Sequence, residues 1–113
     1  MFERLSIPDV IFVTPKRHGD ARGFFSETYR ADAFADAGIT GPFVQDNHAY
    51  SQQPGILRGL HFQKPPVAQA KLVRCTQGAI YDVAVDIRQN SPTFGRHVGA
   101  ELALQFSTLF LQG

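Results

Sequence analysis

Tryptophan is absent from the 113 residues, and methionine and cysteine each occur once. The lone cysteine, Cys75, excludes an internal disulfide and points to a reducing compartment. Excess charge of one sign is also lacking: 11 basic and 10 acidic residues leave a net charge of +1. That balance excludes a field strong enough to hold nucleic acid or an anionic membrane. No apolar run is long enough to span a bilayer. The opening MFERLSIPDV has acidic residues and no continuous apolar stretch, so it does not read as a signal peptide. A cytoplasmic, soluble protein is expected. Repeats, low-complexity tracts and linkers are missing too, and the length suits one small domain with one core.

Phenylalanine is plentiful, with ten copies. Hydrophobic residues make up 43% and charged residues 19%, a composition that folds. Large rings in a small all-β core would account for the phenylalanines. Short β-prone runs recur between Gly and Pro breaks: Val10 to Val13, Gly23 to Tyr29, Phe43 to Tyr50, Ile56 to Gln63, and Lys71 to Thr76. Ala79 to Arg88 alternates most cleanly. Tyr81, Val83, Val85 and Ile87 share an apolar face; Ile80, Asp82, Ala84, Asp86 and Arg88 share a mixed one. Spacing alone favours a solvated mixed face, although an inward polar face would suit a ligand. Gln77-Gly78 predicts a tight hairpin back to Lys71 to Thr76. His97 to Leu104 alternates again. One helix is predicted over Asp32 to Ala37, closed by Gly38. This pattern predicts a sandwich, barrel or jelly roll.

The densest polar grouping runs from Gln45 to Lys71: Gln45, Asp46, Asn47, His48, Arg58, His61, Gln63 and Lys71. A base, amides and two cations suit an anionic, oxygen-rich ligand. Arginine grips phosphate with a two-pronged fork. Histidine titrates near neutrality. Lysine can stabilise a developing oxyanion. His18, His48, His61 and His97 show no HxH spacing, so a metal site is not evident. A Gly-rich phosphate loop and a nucleophile elbow are both absent. Cys75 reads as a small buried hydrophobe and Phe24-Phe25 as core, while Arg22 and Glu27 look like surface charges.

The strings GDARGFFSETY (19–29), FVQDNHAYS (43–51), GILRGLHFQKPP (55–66) and QAKLVRCTQGAIYDVAVDIRQNSPTFG (69–95) go further. In this order they resemble the dTDP-4-dehydrorhamnose 3,5-epimerase family over roughly residues 1 to 103. The resemblance implies an all-β, cupin-like jelly roll with one short helix, incomplete at the C-terminus. Residues 1–113 would be a single truncated epimerase domain. It implies a homodimer and no metal or organic cofactor. The substrate would be a dTDP-4-keto-6-deoxy sugar. The activity would be 3,5-epimerisation of dTDP-4-dehydro-6-deoxy-D-glucose in dTDP-rhamnose biosynthesis.

By the same resemblance, His61 is the proton-abstracting base and Lys71 the cation near the C4 ketone oxygen. Arg22 and Arg58 bind substrate near the diphosphate. Glu27, Gln45, Asp46 and Asn47 make further substrate contacts, and Asp82 supports the site from a neighbouring strand. After Glu101-Leu102 the match fades. The family's second histidine, tyrosine proton donor and base-pairing carboxylate are not matched, and Tyr29, Tyr50 and Tyr81 do not fit the donor's motif. The apolar tail Leu109-Phe110-Leu111 is expected to lower solubility. Two other readings stand beside an active epimerase: a catalytically impaired fragment that binds nucleotide or pairs with another subunit, and a metal-dependent cupin using His48 and His61.

Overall fold

The computed structural model describes residues 1–103 and the strand Thr108–Leu111. Its eight strands and one helix are β1 (Phe2–Arg4), β2 (Val10–Val13), β3 (Arg17–Asp20), β4 (Gly23–Ser26), α1 (Ala31–Asp36), β5 (Lys71–Arg74), β6 (Ala79–Val85), β7 (His97–Ala103) and β8 (Thr108–Leu111). Antiparallel pairing builds a four-stranded sheet in the order β1-β2-β8-β5. Two separate hairpins, β3-β4 and β6-β7, complete the strand pairing.

Alternation along the strands divides the core into two layers. On one face of the large sheet, Ile7, Val10 and Cys75 pack with Leu102, flanked by Phe12, Val73, Ala84, Val98 and Ala100. This layer joins the sheet to the β6-β7 hairpin. On the opposite face, Ile11 and Val13 pack with Phe34 and Ile39, flanked by Phe2 and Leu72. That layer seats α1.

Six residues are too few to hold a helix by propensity alone. Tertiary contacts hold it instead. The Phe34 ring is buried and meets Phe2 and Tyr29 edge-on, at centroid distances of 5.1 and 4.7 Å. Arg30 caps the start without a side-chain hydrogen bond. At the other end Gly38 adopts φ +92°, and the N–H groups of Gly38 and Ile39 donate to the carbonyls of Ala35 and Phe34. Arg4 closes this end by donating to the carbonyls of Ala37 (3.3 Å) and Pro8 (2.8 Å).

Several expectations are corrected. Phe43 to Tyr50 and Ile56 to Gln63 form no strands; residues 43–63 are exposed throughout. Their composition is β-prone, but a strand also needs a neighbouring ladder, and none runs beside them among the described residues. Gln77-Gly78 does not close a hairpin. It carries the chain from β5 in the large sheet to β6 in the other. The apolar face of β6 is not the covered one: Tyr81 and Val85 are exposed and only Val83 is half-buried, while on the mixed face Ile80 is exposed and Asp82 and Ala84 are half-buried; just beyond the strand Ile87 is exposed and Asp86 buried. Phe24 and Phe25 are exposed rather than core, with Phe24 lying under the Arg17 guanidinium at 3.6 Å. Gly23 to Tyr29 shortens to a four-residue strand paired with Arg17–Asp20. Leu109 to Leu111, read from the sequence as an apolar tail that lowers solubility, belong to β8, which pairs on both sides with β2 and β5. Cys75 is buried as expected, with its thiol donating to the Gln77 carbonyl at 3.1 Å. Leu104 lies outside the described residues.

Candidate functional site

Lys71 opens β5, opposite Leu111 of β8, which in turn faces Val10 of β2. Directly opposed residues project from the same face of a sheet. Lys71 therefore lies on the face that carries Val10, Val73 and Cys75, toward the β6-β7 hairpin. Asp82 of β6 is paired with Ala100 and flanked on its face by Ala84, opposite Val98, and by Ile80, opposite Leu102; Ala84, Val98, Ala100 and Leu102 belong to the same layer. By register, Lys71 and Asp82 stand on the facing sides of the two sheets, with Lys71 exposed.

Asp82 is half-buried, and its Oδ2 is sealed from solvent without a hydrogen-bond partner. Desolvation raises its carboxyl pKa above the ordinary value. The Val83 backbone N–H and the positive charge of Lys71 oppose that rise. No direct ion pair joins Asp82 to Lys71 among the described residues.

The segment from 43 to 63 brings two sequence motifs together. Arg58 donates from Nε and Nη2 to Ser51 Oγ (3.2 and 3.1 Å) and from Nη2 to the Tyr50 carbonyl (3.3 Å). The RGLH segment is thereby tied to the end of the QDNHAYS run. Gln45 donates to Asn47 Oδ1 at 3.3 Å. Gln45, Asp46, Asn47, Arg58 and His61 are all exposed. The His61 ring stands over the bare α-carbon of Gly59: a Cβ placed there would lie 3.7 Å from Nδ1. Its imidazole holds no hydrogen bond to another described residue.

Arg22 and Glu27 belong to the β3-β4 region. Arg22 forms an ion pair with Asp20 at 2.7 Å, and this contact lowers the Asp20 pKa and raises that of Arg22. Glu27 approaches Arg30 at 4.0 Å. Both pairs are exposed, so each adds little stability.

A concavity of about 480 Å³ lies elsewhere, lined by Pro8, Asp9 and residues 88–93. None of the residues singled out from the sequence lines it. Behind the lining residues Arg88, Ser91 and Thr93, the buried Asp86 accepts hydrogen bonds from the Arg88 backbone N–H, the Arg88 guanidinium, Ser91 and Thr93. The Arg88 guanidinium, then the two hydroxyls, hold the Asp86 carboxyl well below the ordinary carboxylate range against its burial. Arg88 also reaches Asp9, which ties the β6-β7 connection to the β1-β2 turn. No three His, Cys, Asp or Glu side chains gather as a metal-binding group among the described residues.

The family model for dTDP-4-dehydrorhamnose 3,5-epimerase matches residues 4–111. The chain belongs to that family. The epimerase of Sinorhizobium fredii is 53% identical over 106 residues, covering 90% of this chain and 52% of its own length. The chain spans about half the length of the curated relatives it matches. The Bacillus anthracis family structure, solved with TDP and PPi bound, superposes with a TM-score of 0.95 at 43% identity, covering 99% of this chain and 65% of that one. The Legionella pneumophila dTDP-6-deoxy-D-glucose-3,5-epimerase, in complex with dTDP-4-keto-L-rhamnose, gives 0.90 at 42% identity, covering 98% and 59%. The all-β cupin-like jelly roll with one short helix is therefore the fold of this family member.

What sequence reasoning underweighted is the interlayer pairing. Spacing favoured a solvated Asp82 and Asp86 face, yet both carboxylates face inward. The available signal was the small residue Ala84 between them: a small side chain lets the facing layer approach, where a solvated position carries no such demand.

Proposed function

We propose that the chain carries the base-bearing part of a dTDP-4-dehydrorhamnose 3,5-epimerase. It would act on dTDP-4-dehydro-6-deoxy-D-glucose through His61 and Lys71. Family membership carries this reading, together with the order and spacing of the motifs around Arg22, Gln45 to Asn47, Arg58, His61 and Lys71.

The chemistry follows from the ketone. Hydrogens on C3 and C5 are acidic because C4 can take up their electrons as an enolate. The neutral His61 imidazole removes one of these protons. The Lys71 ammonium stabilises the oxyanion on C4. Arg22 and Arg58 meet the diphosphate, while Glu27 and the Gln45-Asp46-Asn47 run contact the rest of the nucleotide sugar. Inversion is completed when a proton returns to the opposite face of the sugar. Only protons move, so the conversion involves no net redox change and requires no redox cofactor.

Residues 43–67 carry Val44, Leu57, Leu60 and Phe62 well exposed. A second copy of the chain covering them would agree with the homodimer that the family resemblance implies. Sedimentation at micromolar concentration reads that directly: a dimer is expected, and a strict monomer contradicts it.

Incubation with the keto sugar nucleotide in deuterated water tests the activity. Deuterium at both C3 and C5 is expected. Label at one carbon alone would make the protein a single-centre epimerase. Binding of TDP without any label, in a folded sample, would overturn the catalytic reading and leave a nucleotide-binding module.

A further inference from the structure

Tyr50, Ser51 and Arg58 meet across a tight turn. Pro54 fixes a backbone angle that suits it, and Gly55 supplies a φ of +78°, so the chain doubles back after Ser51. Arg58 lays the Nε–Nη2 edge of its guanidinium on Ser51 Oγ, at 3.2 and 3.1 Å. Nη2 also donates to the Tyr50 carbonyl at 3.3 Å. These contacts occupy the N–H groups of Nε and Nη2, while those of Nη1 donate to no described residue. Both acceptors are neutral, and Arg58 forms no ion pair among the described residues. Its positive charge is therefore oriented without being cancelled. Arg22 shows the contrast: the same edge of its guanidinium rests on the Asp20 carboxylate.

We propose that Ser51 is a positioning residue for Arg58, holding one edge of the guanidinium so that Nη1 is presented to the substrate's diphosphate. This rests on the reading of Arg58 as a diphosphate ligand. A long, exposed side chain loses rotamer freedom when it grips a ligand, and one already restrained in the gripping pose loses less. A hydroxyl suits this task better than a carboxylate, because it aligns the fork and leaves the charge to the phosphate. The Tyr50 carbonyl belongs to the main chain and survives any side-chain substitution, so the Ser51 hydroxyl is the contact to alter.

Calorimetric titration with TDP across a double-mutant cycle tests it. Ser51→Ala should weaken TDP binding by about 3- to 10-fold, the worth of an ordinary hydrogen bond. Ser51→Thr, which keeps the hydroxyl, should restore most of the affinity. In Arg58→Ala the further change Ser51→Ala should alter nothing, because the group it positions is gone. Unchanged affinity in Ser51→Ala, no recovery in Ser51→Thr, or losses that add in the double variant overturn the positioning role. The Arg58 Nε–H, followed by nitrogen-edited NMR without ligand, should exchange with water faster in Ser51→Ala than in the unaltered protein, and equal exchange also overturns it. Should Arg58→Ala bind TDP as tightly as the unaltered protein, the diphosphate reading of Arg58 fails and the proposal with it. The Nε–H exchange tells the two failures apart, because it reports the contact with or without TDP.

Discussion

Lys71 is exposed on the face of its strand that turns toward the β6-β7 hairpin, and its proposed role there is to meet the oxyanion that forms on the substrate. Lys71→Ala should therefore slow deuterium incorporation by about 10²- to 10³-fold, in the range seen when one oxyanion donor is removed. TDP affinity should stay near its original value, because the diphosphate is assigned to Arg22 and Arg58. Exchange rates and a TDP titration on the same sample separate the two effects. Arg58→Ala should do the reverse and weaken TDP binding by roughly 10-fold or more, in line with a charge-assisted contact of about 1.5–3 kcal/mol. It would also release Ser51 and Tyr50 from the RGLH segment.

Helix α1 and the 86–93 loop depend on single side chains. Phe34 is the only residue of α1 that is buried, and it anchors the helix to Ile11, Val13 and Ile39. Phe34→Ala should cost about 3–5 kcal/mol, read as a lower denaturation midpoint in urea. In the loop, Asp86→Asn leaves Arg88, Ser91 and Thr93 with a poorer acceptor and should cost about 2 kcal/mol by the same measurement. These elements were unequally legible in the sequence. The helix could be read because its alanines and Gly38 are local signals. The alternation in β6 and β7 was equally plain, but a period of two does not say which face is covered. Only the packing of Ala84, Val98 and Leu102 settles that the mixed face points inward. Phe43 to Tyr50 and Ile56 to Gln63 have strand-like composition, yet composition does not supply a neighbouring ladder. The strand at Thr108–Leu111 was missed because its pairing with β2 and β5 is long-range and leaves no local mark.

Across the whole molecule, the buried Asp86 and the half-buried Asp82 should respond to acid in opposite ways. Asp86 has its folded-state pKa lowered, so its contribution to stability is complete above the unfolded carboxylate value of about 4. That contribution is lost as pH falls below it. Asp82 has its pKa raised by desolvation, so its ionised form opposes folding above that range and protonation relieves the cost. Because Asp86 is the more strongly perturbed, net stability should fall on acidification below about pH 4. Asp86→Asn should flatten that fall in a pH series of denaturation midpoints, and an unchanged slope would show that the loop network is not its source. The candidate site was legible in the sequence as motifs, through the ordered strings around Arg22, Asp46, His61 and Lys71. Its assembly was not, because Lys71 and Asp82 stand on different sheets, and the chain crosses between them at Gln77-Gly78.

The central claim is that the His61 imidazole removes a proton beside a ketone. The most direct measurement compares the unaltered protein with His61→Ala in deuterated water, reading label at C3 and C5 of the keto sugar nucleotide by NMR. The account predicts label in the first and a loss of about 10²- to 10⁴-fold in the second, with the circular dichroism of the two unchanged. Incorporation by His61→Ala at the unaltered rate would contradict it.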